Sequence, residues 1–544
     1  MKRDLKRLSD TQFDLLIIGG GIQGAGIAWR ASLEGLKVAL IDKSDFAAGS
    51  SSNTSKVIYG GMQELRQYGI KRSRYSMHER LRLMHIAPHL VHQLNCIVPI
   101  YGDENKTSTG MKAALKLYDW LGRKQNRELE DEDAPHAAEP LEIEKVLKLI
   151  PGVDKDGLKG GARWQEAVCS NTERLVISFL KTAYIRGAAL ANYIRAQKII
   201  TEKNKAIGVE VRDELSGEQF TIMAGEIVDC SGPWTDEIYA GNDDKKKKEK
   251  QSYVAGISIV TRQIISSDHC VYLRRSSHSD QFYNVIPWRD RSILGTEWFR
   301  YEGHPDHLQI SRGQCLQLIE NFNRIYPHAN LNLADVSFIY KGMVPGSGED
   351  YFGTETLNKF RFLDHSEHGV KGLTRIVGVE FGAALHVAET FLMRHFPQVK
   401  RRPLADQGVV AGGMPIGIED YREDLFKRWK DRVDIKELER LFMNYGNETE
   451  QVLVRSENSS QRGGERIDNR SIMFAEVRHA LSEEMAVKLT DVVMRRTDLG
   501  SHQRPSEIEL TDITEQMASV LQWSENRCVS ELTECRDRYP FMYN

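Results

Sequence analysis

The chain reads as an α/β protein with two interleaved sheets and a helical C-terminal domain. Three observations predict this. A short apolar run, Leu15 to Ile18, meets Gly19-x-Gly21-x-x-Gly24, then a helical stretch, Ala25 to Leu33, then a second apolar run, Lys37 to Ile41. From Tyr253 to Thr296 strand-like runs dominate, Phe282 to Trp288 and Ser292 to Thr296 among them. After Pro403 apolar residues recur at helical spacing, as in Val477, Ala480, Leu481, Met485, Leu489, Val492 and Val493. These are, in turn, a Rossmann-type unit, an antiparallel sheet and an all-helical domain.

The glycine turn has a physical reading. Gly19 permits the tight turn, Gly21 lets a pyrophosphate approach the backbone, and Gly24 lets the helix pack close to the strand. The helix start, with Ile22 and Gln23, offers unpaired N–H groups and the positive end of its dipole. Asp42 ends the second run about twenty residues on, where an acid accepts from a ribose diol and repels a 2′-phosphate. The order of parts predicts a dinucleotide site and disfavours NADP.

Composition bounds the rest. At 544 residues the chain exceeds one simple core, and two or three domains are expected. Residues 11–100, 161–245 and 366–400 form the dinucleotide unit in three pieces; 101–160 and 246–365 form the substrate region; 401–544 form the helical domain. A hydrophobic fraction of 40% with 28% charged residues is that of an ordinary globular protein. The net charge of −3 gives a nucleic-acid partner no electrostatic support. Lys245 to Lys248 beside Asp243 and Asp244 reads as a solvated loop. No apolar run reaches the ~18 residues of a membrane span, and the charged start MKRDLKRLSD lacks a signal core. A cytoplasmic protein is expected. The seven cysteines are scattered without a CxxC pair, which suits reduced thiols. His78, His85, His89 and His92 cluster near a helix, but no carboxylate or cysteine at matching spacing accompanies them, so no metal site is expected.

The residues after Asp42 and Lys43 favour a flavin over a nicotinamide. Gly49-Ser50-Ser51-Ser52-Asn53-Thr54-Ser55-Lys56 is a run of hydroxyl donors closed by a cation. Here Phe13 to Gly61 resembles the opening of the FAD-dependent glycerol-3-phosphate dehydrogenase family. That family runs through a similar Gly-Thr-Ser-Ser loop to Lys-Leu-Ile-His-Gly-Gly, which here reads Lys56-Val57-Ile58-Tyr59-Gly60-Gly61. Val228-Asp229-Cys230-Ser231-Gly232-Pro233-Trp234 is similar to the family's Asn-Ala-Thr-Gly-Pro-Trp. Glu483-Glu484-Met485 and Arg495-Arg496-Thr497-Asp498-Leu499-Gly500 are similar to segments of its C-terminal domain. The likeness covers nearly the whole chain.

The resemblance implies a D-amino-acid-oxidase-like arrangement: a Rossmann-type FAD-binding domain interleaved with an antiparallel substrate sheet, plus a C-terminal helical domain. FAD contacts are then expected from Gly19, Gly21, Ile22, Gln23, Gly24, Asp42, Lys43, Gly49, Ser50, Ser51, Ser52, Lys56, Ala196, Ser231, Gly232, Gly378 and Phe381. The partners implied are a small-molecule substrate, oxygen or a quinone as electron acceptor, and a second copy in a homodimer. Family members associate peripherally with membranes; Met111 to Leu121, with Trp120, reads either as the contact at the inner face or as a helix packed on the sheet.

The substrate side departs from the family. Its Leu-Arg-Tyr becomes Met62-Gln63-Glu64, its His becomes Tyr59, and its Gly-x-His becomes Gly256-Ile257-Ser258. The Arg of Tyr-x-Gly-x-Arg-Pro is Val344, and Gly-Thr-Thr-Asp is Gly295-Thr296-Glu297-Trp298. In Gly-Gly-Lys-Leu-Thr-Thr-Tyr-Arg the lysine has become Glu380 and the arginine Leu385. Each lost charge-assisted contact removes ~1.5–3 kcal/mol, so two losses weaken phosphate binding by roughly two to four powers of ten. Inefficient use of glycerol 3-phosphate is expected. The gained Glu64, Glu297 and Glu380, with Gln63, Ser258 and Val344 lining the same pocket, suit an amine or another nitrogen compound. Glu380 is the expected base, with Tyr59 and His386 behind it. The alternatives are a hydroxyl-compound dehydrogenase with residual glycerol 3-phosphate oxidation, and a non-catalytic FAD-binding scaffold.

Overall fold

A computed structural model describes the chain except residues 63–64, 66–68, 103–112, 114, 123–136, 236–237, 239–251, 276–280, 348–358, 379, 415, 458–465 and 540–544. Five parallel strands make the first sheet, in the order Leu373–Val377, Gln219–Asp229, Gln12–Ile18, Val38–Ile41, Ala189–Ala191. Arg361–Asp364 adds an antiparallel edge. The continuous apolar runs are there because helices cover one face and a meander the other. Ile22–Leu33, Thr172–Ile185 and Ala384–His395 pack on one side, with Trp29 against Phe179 at 5.3 Å between ring centroids. Ile194–Glu202 pairs with Lys205–Asp213, which pairs in turn with the start of Gln219–Asp229, and the three bury Ile199, Val209 and Val211.

The second sheet runs in the order Val336–Pro345, Tyr253–Arg262, Arg291–Arg300, Phe282–Trp288, Cys270–Arg274, Val91–Tyr101, Leu158–Cys169, Val57–Ile58. Its pairings are antiparallel except between Cys270–Arg274 and Val91–Tyr101. It is therefore mixed, and it takes Val57–Ile58 and Val91–Tyr101 out of the stretch assigned from sequence to the dinucleotide unit. The roof over the glycine turn is woven from both halves of the chain.

The C-terminal domain is helical, with Ile418–Trp429, Ile435–Tyr445, Asn469–Glu483 and Glu507–Leu521 among its helices. The apolar periodicity from Val477 to Val493 suggested one helix, but the structure breaks it. Asn469–Glu483 ends before Met485, which sits at φ 58°, and a short π-helical turn covers Val492–Arg496. The break turns Arg495 and Arg496 back onto Asp45, the third residue after Asp42.

Among the described residues no helix is long and apolar enough to cross a membrane. Trp120 is 63% exposed while Leu115, Tyr118 and Leu121 are buried.

Candidate active site

A cavity of about 780 Å³ lies between the two sheets. That volume is in the range of cofactor and ligand pockets. Its floor begins at the glycine turn. An added Cβ at Gly24 would lie 2.0 Å from the Gly19 carbonyl oxygen, and one at Gly19 would lie 2.6 Å from that of Cys230, so both glycines are demanded by packing. At Gly21 an added Cβ would meet the Ser51 Oγ at 3.0 Å and nothing else within 4 Å. The open side of Gly21 faces the cavity, where a diphosphate would lie against the start of the helix.

Ser51 Oγ accepts from the Ile22 N–H at 2.9 Å, so the serine loop caps that helix from inside the cavity. Ser50 Oγ donates to the Met343 carbonyl at 2.7 Å and the Lys341 N–H donates to Asn53 Oδ1 at 3.1 Å. These bonds stitch the loop to the roof strand Val336–Pro345. Asp42 accepts from the Gly20 and Ser44 N–H groups at 2.7 and 2.8 Å, yet burial pushes its carboxyl up to about 6. Lys43 Nζ lies 3.2 Å from Asp306 and 5.1 Å from the Trp234 ring centroid, closing the outer edge.

Gly19, Gly21, Ile22, Gln23, Asp42, Lys43, Gly49, Ser50, Ser51, Ser52, Ala196, Ser231, Gly232, Gly378 and Phe381 all line this cavity. Gly24 stands behind it as packing. Lys56 departs from expectation. Its side chain is fully buried, with Nζ 2.8 Å from Glu173 and 3.1 Å from Thr172, and it is not among the lining residues. A buried ammonium needs a paired carboxylate, and the Thr172–Ile185 helix supplies one.

At the far end the turn Phe381–Ala383, capped by Glu380, meets the strand Val57–Ile58, with Gly382 packed on Ile58. Tyr59, Ser258, Val344 and Glu380 line this end. Glu380 forms an ion pair with Arg72, and the Gln23 amide donates to the Glu380 carbonyl at 3.1 Å. Burial raises the Glu380 pKa, and the Arg72 guanidinium opposes that rise. Ser258 Oγ is 3.1 Å from Thr296 Oγ1, and Asn284 Nδ2 is 3.4 Å from the Tyr59 hydroxyl.

Two expected residues face elsewhere. Glu297 is held outside the cavity by Arg275 at 3.1 Å and by the Tyr283 hydroxyl, while its neighbours Thr296 and Trp298 line the cavity. His386 packs its ring on Tyr75 and Phe360, and its backbone N–H donates to Glu79 at 3.0 Å. Burial holds the His386 imidazole below its usual range, and it is not a lining residue. The expected contacts from Gln63 and Glu64 lie outside the described residues.

Sequence reasoning missed one wall. Tyr75, Ser76, Glu79 and Arg80 line the cavity from the helix Ile70–Ile86. Their spacing is that of one helix face, and it was hidden because a polar face reads as a solvated one. The C-terminal domain contributes too, through Lys488, Thr490, Met494 and Arg495.

The residues present fit FAD. The glycine turn and serine loop suit its diphosphate, with the open side of Gly21 and the Ser51-capped helix start both facing the cavity. Comparison with known proteins agrees. Residues 14–378 match the FAD dependent oxidoreductase family and residues 409–528 match the C-terminal domain of alpha-glycerophosphate oxidase. A glycerol-3-phosphate dehydrogenase of Synechocystis is 28% identical over 97% of both chains. An alpha-glycerophosphate oxidase of Streptococcus pyogenes is 31% identical over 64% of this chain and 57% of its own length. The fold is shared with the glycerol-3-phosphate dehydrogenase of Bacillus halodurans solved with FAD, at a TM-score of 0.75, 21% identity and coverage of 98% and 95%. With a nucleotide floor, a two-sheet cavity and a helical domain all in the same order, this chain belongs to the FAD dependent oxidoreductase family, with a C-terminal domain that matches that of alpha-glycerophosphate oxidase.

Proposed function

We propose that this oxidoreductase acts on a small, non-phosphorylated substrate carrying an amino group, oxidised at the C–H bond beside nitrogen. The observation that carries this reading is the Glu380–Arg72 pair at the ring end of the cavity. A phosphate needs free cations, because desolvating it unpaired is expensive. Here Arg72 is engaged by Glu380, Lys56 by Glu173, and Arg80 by the Gln165 carbonyl at 2.6 Å. A substrate phosphate would have to take Arg72 away from a carboxylate that then repels it.

When bound, FAD supplies a two-electron acceptor that takes hydride from the substrate carbon. The chain's own residues do the rest. Glu380 takes the proton from nitrogen, so that C–H and N–H bonds break and a C=N bond forms. Tyr59 and Ser258 orient the substrate, and the roof strands exclude water. The two electrons then leave for an external acceptor, oxygen or a quinone.

Oxidation of a hydroxyl compound, glycerol 3-phosphate included, is the second reading. It is favoured by Lys341, which lines the cavity with its ammonium 2.8 Å from the Leu308 carbonyl and its pKa lowered by burial. Anaerobic mixing of the FAD-loaded protein with primary and secondary amines, polyols and glycerol 3-phosphate separates the two. Bleaching of the flavin band by an amine supports the first reading. Fastest bleaching by glycerol 3-phosphate overturns it.

A further inference from the structure

The strand Val57–Ile58 parts from its sheet at the cavity. It pairs antiparallel with Leu158–Cys169, Val57 opposite Val168 and Ile58 opposite Ala167. One more step in that register would set Tyr59 opposite Glu166, and the next would set Gly60 opposite Gln165. The ladder stops instead, and Tyr59 lines the cavity. A strand that leaves its partner frees backbone groups on both chains, and buried ones must be met elsewhere.

Side chains meet them here. Glu166 is 1% exposed and is not among the residues that line the cavity. Its carboxylate turns onto the departing chain and accepts from the N–H groups of Gly60 and Met62. Trp164 Nε1 donates to its other oxygen at 2.8 Å. On the carbonyl side, Arg80 Nη1 donates to the Gln165 carbonyl at 2.6 Å. The Tyr118 hydroxyl stands 3.1 Å from the carbonyl oxygens of Gly60 and Gln165 alike. Gly60 is thus held at its N–H and at its C=O. A side chain would not fit there: an added Cβ would lie 2.7 Å from Glu166 Oε2 and 2.8 Å from Arg80 Cζ. A buried carboxylate is costly and persists where several donors fix it. This one directs its acceptors at the loop that carries Tyr59.

We propose that Glu166 is a positioning residue of the flavin site. It acts from outside the cavity, through the Tyr59–Met62 loop, and fixes where Tyr59 stands at the far end. Tyr118 supports the same loop from its carbonyl side. A carboxylate suits this task better than a neutral acceptor, because amide bonds to a charged oxygen are the stronger. No substrate enters this role, and it stands whichever compound reduces the flavin.

The test uses the full-length FAD-loaded protein without substrate. Three quantities are read: amide exchange over residues 57–62, the position of the flavin absorption band, and the flavin reduction potential in a dithionite titration. Glu166→Gln removes the charge and puts an NH₂ group on one of the two accepting positions. Exchange over residues 57–62 is expected to quicken about tenfold, as the step from a charged to a neutral acceptor implies, and the band and the potential are expected to move. Tyr118→Phe keeps the ring and is expected to move them in the same sense and by less. The FAD dissociation constant is expected to stay that of wild type, since the glycine turn and serine loop are untouched. The background Tyr59→Ala separates positioning from mere structure. If Glu166 acts through Tyr59, Glu166→Gln adds nothing to the band or the potential there. Full additivity would overturn the proposal. So would unchanged exchange over residues 57–62 in Glu166→Gln, or a band and a potential that neither variant moves. Should Glu166→Gln fail to fold, Tyr118→Phe runs the same cycle against Tyr59→Ala, with the same outcomes deciding.

Discussion

Glu380 and Arg72 stand 308 residues apart in sequence and form an ion pair in the cavity wall. One comes from the turn after the strand Leu373–Val377, the other from the helix Ile70–Ile86. The pair changes how acidic this end is. Three glutamates were expected to make a cation-binding pocket. Glu297 faces away into Arg275, and Glu380 has a guanidinium beside it. Of these glutamates, the one that lines the cavity among the described residues is a paired carboxylate.

Glu380→Gln is isosteric and removes the proton acceptor proposed above. The variant is expected to keep its FAD and to lose about 10²–10⁴-fold in the rate of flavin reduction, the usual worth of a positioned general base. A base must be deprotonated to act, and burial raises the pKa of this one. Reduction rate is therefore expected to rise with pH through that raised pKa and to fall on its acid side. Stopped-flow reduction across pH reads both effects, and the acid limb should vanish in Glu380→Gln.

The glycine turn gives a paired prediction. Gly21 has an extended backbone, φ −78° and ψ −176°, which alanine adopts without strain. Its added methyl would project toward Ser51 Oγ in the open cavity. Gly21→Ala is thus expected to fold with normal stability and to bind FAD at least about tenfold more weakly, equivalent to ~1.4 kcal/mol. Gly24→Ala would drive a methyl to 2.0 Å from the Gly19 carbonyl oxygen. Overpacking of this kind costs about 1–3 kcal/mol or more, so this variant is expected to lose thermal stability even before cofactor is added. Melting curves of the apo proteins, followed by FAD titration, separate the two.

Asp45 joins the cofactor loop to the C-terminal domain. It receives Arg495 Nε at 2.6 Å and Arg496 Nη2 at 2.7 Å, and those guanidiniums hold its carboxyl down to about 2. A carboxylate with a lowered folded pKa contributes stability that is complete above its unfolded value of about 4 and is lost as pH falls toward its folded value. Acid melting of the wild type should steepen in that window. Asp45→Asn should flatten the slope there and lower the apparent melting temperature at neutral pH. Arg495 would then keep Asp491 while Arg496 would lose its carboxylate partner, and breaking such a buried pair costs about 3–5 kcal/mol. Arg495 also lines the cavity, so FAD affinity is expected to fall with it.

The legible parts of this site are those fixed by local chemistry. The turn at Gly19 and the acid at Asp42 follow from spacing along one strand–helix–strand unit, and the hydroxyl loop from its composition. Glu297 was misread because side-chain direction in a strand depends on parity. A bulge at Ile257 and Ser258 leaves Thr296 without a partner in the ladder, so that Thr296 and Trp298 face the cavity and Glu297 does not. The wall of Tyr75 and Ser76 was invisible for another reason. A helix face of arginine, tyrosine and serine has the pattern of a solvated surface, and only the tertiary fold closes it over a cavity. His386 falls between these cases: the helix Ala384–His395 starts beside the cavity, but its imidazole turns onto Tyr75 and Phe360.

Lys56 supplies the last prediction, because its expected role and its surroundings disagree. As a cofactor ligand its loss would weaken FAD binding alone. As the structure has it, the ammonium is buried on Glu173, Thr172 and the Ser52 carbonyl, behind the cavity wall. Lys56→Met would leave Glu173, 1% exposed, without its counter-ion. An uncompensated buried charge is expected to cost about 3–5 kcal/mol and to appear in apo and FAD-loaded protein alike. The double variant Lys56→Met/Glu173→Gln removes both charges and should recover much of that loss, so the two substitutions will be strongly non-additive. The rate of flavin reduction should remain near wild type in both. A Lys56→Met protein with unchanged apo stability but weakened FAD binding would return Lys56 to the cofactor.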